Sequence, residues 1–135
     1  MNSIRVTKSQ ALLTFFFDSD FEPDILEKII GVKPKKNLPK CFAQKNYENP
    51  NGLAFFQIAT NVAEERLTEN AVKVLLQPLL GKSEEINRIL KAHNGFIQLD
   101  LLIKKSNNIM PIISLSPNTI KFLGKLDARY FVKFV

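Results

Sequence analysis

The chain reads as an α+β two-layer sandwich, with a mostly antiparallel or mixed sheet of four to five strands and three helices mainly on one face. Three observations predict it. Segments with period-two apolar alternation are interleaved with segments of helical period, in the order β-α-β-α-β-β-α-β. The longest alternating segment, "FIQLDLLIKK" (96–105), is apolar on one side and polar on the other, which marks a sheet with one covered face. Strands outnumber helices, which places the helices together on one face rather than on both.

The elements follow in order. After a polar stretch at 1–8, "SQALLTFFF" (9–17) predicts a strand with Ala11, Leu13, Phe15 and Phe17 on one face and Leu12, Thr14 and Phe16 on the other. "FEPDILEKIIGVKP" (21–34) predicts a short amphipathic helix. Asp20 or Glu22 suits its cap and Pro23 its first turn, where a missing N–H costs nothing. Ile25, Leu26, Ile29 and Ile30 form its apolar face; Gly31 suits a left-handed C-terminal residue, Val32 packs back, and Pro34 stops the helix. From 33 to 52 nothing periodic appears, and this long loop is rich in lysine. "LAFFQIAT" (53–60) is the next strand.

Thr68 is placed to cap a second helix, with Val72, Leu75, Leu76, Leu79 and Leu80 on its apolar face. Pro78 predicts a kink or break there, because it lacks a backbone donor and clashes with the preceding turn. Ser83 caps the second piece, with Glu84 and Glu85 beside the positive end of its dipole. Ile86, Ile89 and Leu90 continue the apolar face until Asn94-Gly95. In the strand that follows, Ile97, Leu99, Leu101 and Ile103 share the covered face, opposite Gln98, Asp100 and Lys104. "IISLS" (112–116) reads as a shorter strand, kept to an edge by Pro111. Ser116 with Pro117 opens a third helix whose Ile120, Leu123 and Leu126 face inward, and "ARYFVKFV" (128–135) closes the chain as a strand.

Composition bounds the function. The 135 residues suit a single domain spanning 1–135, long enough to bury a core without staples. Eleven Phe and no Trp predict a Phe-rich core. A single Cys excludes an internal disulfide framework and fits a reducing compartment. "MNSIRVTKSQ" lacks the apolar stretch of a signal peptide, and no apolar run is long enough to span a bilayer. Cytoplasmic residence without a membrane is the resulting expectation. The net charge of +6 admits nucleic acid, an anionic membrane surface or an acidic protein partner and selects none of them.

The order of these signals resembles the bacterial family known as domain of unknown function 4279. The resemblance is carried by the Phe-rich first strand and by "DFEPDILEKIIGVKP", with Asp20, Pro23, Ile25, Gly31 and Pro34 in place. "FIQLDLLIKK" and "ISLSPNTIKFLGKLDA" carry it further along the chain. These motifs are structural and imply the fold. The chain departs from the family pattern at "KKNLPKCFAQ", which has no early glycine, and at a closing strand that is basic and aromatic instead of acidic. The resemblance implies no established reaction; similar domains sit in bacterial defence and toxin-immunity neighbourhoods, which implies an immunity role.

No residue set carries catalysis. His93 is the lone histidine, placed near a helix end where the dipole favours it, and Cys41 stands alone in the basic loop. Together they do not make a zinc site. Of the carboxylate pairs, Asp18 and Asp20 suit helix capping better than a cation, Glu84 and Glu85 suit a helix start, and Glu64 and Glu65 sit in a polar connector before Arg66. No glycine-rich phosphate loop or other cofactor pattern is present. Two binding surfaces remain. One is the loop, with Lys35, Lys36 and Lys40 interleaved with Phe42 and Tyr47. The other is the uncovered sheet face, with Arg129, Phe131 and Lys133, joined by Phe16, Gln98 and Asp100 if Phe15 and Tyr130 face the helices. Cations around aromatic rings suit an acidic protein partner and also nucleic acid. The expected function is a non-enzymatic, immunity-type inhibitor that occludes a cognate toxin; the alternative is a nucleic-acid-binding module using the same surfaces.

Overall fold

The computed structural model describes residues 8–19, 22, 24–38, 52–64, 68–104 and 112–135, with backbone alone for 36–38. Five strands form one mixed sheet: β1 (Lys8–Phe17), β2 (Lys36–Leu38), β3 (Ala54–Ala59), β4 (Gly95–Lys104) and β5 (Arg129–Phe134), in the spatial order β2-β3-β1-β4-β5. All neighbours are antiparallel except β4 and β5, which run parallel through the crossover helix α4 (Pro117–Lys125). The helices α1 (Asp24–Ile30), α2 (Glu69–Leu76) and α3 (Ser83–Ala92) complete the fold.

Period-two alternation sorts the sheet into two faces. Ala11, Leu13, Phe15 and Phe17 of β1 are fully buried, in line with Ala54, Phe56 and Ile58 of β3 and Ile97, Leu99, Leu101 and Ile103 of β4. Leu26 and Ile30 of α1, Val72, Leu75 and Leu76 of α2, Ile86 and Leu90 of α3, and Leu123 with Leu126 around α4 join these residues in one apolar core. All four helices therefore lie on this face, and no described helix covers the other.

Local chemistry explains the boundaries. Gly31 takes φ +77° and returns its N–H to the Glu27 carbonyl at 2.8 Å, ending α1 as expected. Lys82 closes the same end from outside: its Nζ donates to the Ile29 carbonyl at 2.8 Å. Pro78 breaks the second helix outright into a 3₁₀ turn at Gln77–Leu79, so four helices stand where three were expected. Ser116 caps α4 through its side chain, which accepts from the Thr119 N–H, with Pro117 as the first helical residue.

The structure corrects several expectations. Thr68 does not cap α2 with its side chain; its Oγ1 donates to the Ile112 carbonyl at 2.8 Å instead, tying the helix start to the segment after β4. Ser83 is the first residue of α3 and not its cap. Residues 112–116 form no strand beyond a single β-bridge at Ile112; the Ile112 carbonyl is taken by Thr68, and Ser116 is already the cap of α4. The stretch from 33 to 52 is not loop throughout: Lys36–Leu38 pairs with β3 as an edge strand. Ile25, Leu80 and Ile120, expected to face inward, are exposed. Leu80 leaves the helical face because it follows the 3₁₀ turn in an extended conformation. α4 turns Thr119 inward in place of Ile120, since Thr119 Oγ1 donates to the buried Glu69 carboxylate at 3.1 Å. Asp20 and Pro23 lie outside the described residues.

Candidate sheet-face and edge-strand binding surface

Phe15 is buried and Tyr130 half-buried on the helix side, so the opposite sheet face carries Phe16, Gln98, Asp100, Arg129, Phe131 and Lys133. The register arranges this face into rows that run across the strands. Phe55, Phe16 and Phe96 form the first row. Gln57, Thr14, Gln98 and Arg129 form the second; Ala59, Leu12, Asp100 and Phe131 the third; Gln10, Leu102 and Lys133 the fourth.

Each polar group in the rows is tied to a neighbour. Phe16 stacks on Phe96 at 5.1 Å between ring centroids, and the Arg129 guanidinium lies 4.1 Å above the Phe96 ring. The buried Asp100 carboxylate accepts from Lys133 Nζ at 3.1 Å and from Gln98 Nε2 at 3.1 and 3.2 Å. Gln57 Nε2 donates to Thr14 Oγ1 at 2.9 Å. Phe131, between Arg129 and Lys133 on β5, is the exception: it is 45% exposed and has no ring partner among the described residues. Lys8 and Lys104, exposed at the far end of the same face, leave it with an excess of positive charge over Asp100, its one carboxylate among the described residues.

The expected binding residues separate into groups. Arg129, Phe131 and Lys133 come together on β5. Lys35 is exposed beside β2 at the opposite edge, and Lys36 belongs to β2, four strand spacings or about 19 Å from β5. They do not form one site with the β5 group. Lys40, Phe42, Tyr47 and Cys41 lie outside the described residues. Beside Lys35 is a shallow open hollow of about 310 Å³, lined by Gln10, Lys33, Pro34, Ala59, Thr60 and Asn61. Gln10 Nε2 and Thr60 Oγ1 are already engaged, with the Thr60 carbonyl and the Ala11 N–H respectively.

His93 ends α3 as expected, half-buried, with its Nδ1 3.2 Å from Ser19 Oγ and its ring edge-on to Phe17. Among the described residues no three His, Cys, Asp or Glu side chains are grouped to hold a metal ion, and no helix is long and apolar enough to cross a membrane.

Sequence reasoning missed Glu69 on the other side of the sheet. Its carboxylate accepts from the Ser116 N–H at 3.0 Å and from Thr119 Oγ1, with Lys73 Nζ at 3.6 Å. The Ser116 bond above all holds its pKa below the ordinary carboxylate value. Burial first, then the charge of Glu69, raises the Tyr130 phenol, whose buried hydroxyl has no hydrogen-bond partner among the described residues. Phe55 and Phe96 were also missed. Their parity with Gln57 and Gln98 was the available signal.

The fold and this surface define a class: a helix-backed sheet that, among the described residues, offers one open face and is bounded by the edge strands β2 and β5. The chain belongs to the family Domain of unknown function (DUF4279), whose model matches residues 7–133. No curated protein and no solved structure matches it.

Proposed function

We propose that the protein is a non-enzymatic cytoplasmic binding protein of the immunity type, which docks on a cognate toxin and occludes its active site. Phe131 carries this reading. It is a large ring left 45% exposed, flanked on its own strand by Arg129 and Lys133. An aromatic anchor inside a charged rim is how protein interfaces concentrate affinity. The positive excess fits an acidic patch on the partner, with charge steering the encounter.

A nucleic acid is the second reading, favoured by the row of rings with cations beside it. Sheet-based single-strand binders stack two or three bases on free ring faces. Here one face of Phe96 is taken by Arg129 and its ring is stacked on Phe16, which leaves Phe131 as the free platform on this face among the described residues. One platform serves a protein anchor better than a run of bases.

Capture from the native host's lysate at moderate salt, with wild type and Phe131→Ala side by side and both protein and nucleic acid analysed, tests this. One stoichiometric protein that survives raised salt and is lost on the variant supports the reading. Nucleic acid that washes off steeply with salt supports the second. Equal loading of wild type and variant overturns Phe131 as the anchor.

A further inference from the structure

The free edge of β5 has a defined hydrogen-bonding pattern. The Val135 N–H reaches the Ile103 carbonyl of β4 at 2.9 Å, so the odd-numbered residues of β5 turn their backbone groups inward. Tyr130, Val132 and Phe134 therefore turn their N–H and C=O groups outward, and no described residue pairs with them. Unpaired edges of this kind are templates for another strand. Many proteins guard them with free lysines, but here Lys133 is held by Asp100 and Arg129 by Phe96. Between them Phe131 is exposed, and Phe134 on the opposite face is 61% exposed.

We propose that β5 accepts an extended acidic segment of a partner protein as a sixth strand of the sheet. This deepens the reading above and rests on it. The added strand would lie beside Arg129, Phe131 and Lys133 on the open face, which selects acid, apolar, acid at alternate positions. On the helix face it would lie beside Val132 and Phe134, which selects apolar residues. A second copy of the chain fits poorly, because antiparallel pairing of two β5 strands brings their Arg129 and Lys133 side chains together. Asp100 alone does not balance Lys133 and Arg129, and Phe96 is neutral, so the remaining negative charge has to come from the partner.

The test uses the full chain, isotope-labelled for NMR amide exchange, with a capped Glu-Val peptide of about seven residues that places Glu, Val and Glu in turn on one face and Val throughout the other as the probe. A Lys-Val peptide is the control. The Glu-Val peptide is expected to protect the amides of Tyr130, Val132 and Phe134 from exchange, and the Lys-Val peptide to protect none. Phe134→Pro removes an outward N–H at a position where an edge strand tolerates proline, and should weaken the peptide about tenfold. Failure of the Glu-Val peptide to bind, equal binding of both peptides, or binding without protection of those three amides would overturn the proposal. A captured partner that depends on Phe131 yet ignores Phe134→Pro would reject strand addition and leave the docking reading standing.

Discussion

Gly95 is where the sheet, α3 and the aromatic row meet, and Gly95→Ala tests how tightly they are packed. A Cβ there would sit 2.8 Å from the Phe16 carbonyl oxygen, 2.8 Å from Phe17 Cδ1 and 2.9 Å from Leu90 Cδ2. Phe17 is fully buried and Leu90 nearly so, and the third contact is backbone already committed to the sheet. Overpacking of this kind costs about 1–3 kcal/mol, and the immovable carbonyl places it near about 3 kcal/mol. For 135 residues that corresponds to a fall of about 10 °C in Tm. Gly31→Ala is the internal control, because nothing lies within 4 Å of its Cβ position and only its φ of +77° resists, at about 1 kcal/mol. Urea unfolding followed by circular dichroism compares the two. If Gly95→Ala loses no more than Gly31→Ala, the seating of Phe17 and Leu90 against β4 is looser than argued. The position of the Phe16–Phe96 row would then lose its support too.

Three further outcomes are expected. Glu69→Gln should lower stability at neutral pH, and the gap from wild type should shrink as pH falls below the ordinary carboxylate value of 4.5, measured by Tm from pH 3 to 7. The sign follows from the lowered folded pKa: the carboxylate stabilises the fold above its unfolded pKa, and that contribution is lost as pH falls through the folded one. Lys82→Met removes the donor to the Ile29 carbonyl and should cost about 1 kcal/mol in urea unfolding without changing partner binding. Phe131→Ala should leave stability within about 0.5 kcal/mol. If docking buries the exposed part of the 45% exposed ring, about 90 Å² by area, the variant should weaken the captured partner by about 2 kcal/mol, or about 30-fold by titration calorimetry.

The covered face was legible because it needs no knowledge of pairing. Ile97, Leu99, Leu101 and Ile103 alternate, and alternation alone puts them inside. Helix faces were less legible. Ile120 satisfies helical spacing with Leu123, yet Thr119 takes the inward position because a buried carboxylate on another helix needs a donor. No local pattern encodes that demand. The strand expected at 112–116 is cut short to a bridge at Ile112: propensity marks a segment able to pair, but its first carbonyl goes to Thr68 and its last residue caps α4. The short β2 was invisible because its three residues pair without any alternation long enough to read.

The site divides along the same line. Membership of the open face followed from parity, so Arg129, Phe131 and Lys133 were found together on one strand. Their state depends on parallel pairing of β4 with β5, which no local signal reports. That register sets Gln98 beside Arg129 and Asp100 beside Phe131, and each cation then reaches a diagonal partner: Arg129 to Phe96 and Lys133 to Asp100. Shifted by one residue, the strand would send Phe131 into the core and Tyr130 outward. The same pairing that ties down the two cations thus leaves the ring between them uncovered. An edge built only for solubility would have the opposite arrangement, with mobile charges and a hidden ring. The fixed cations and the exposed ring on one strand are what make β5 a surface for a partner.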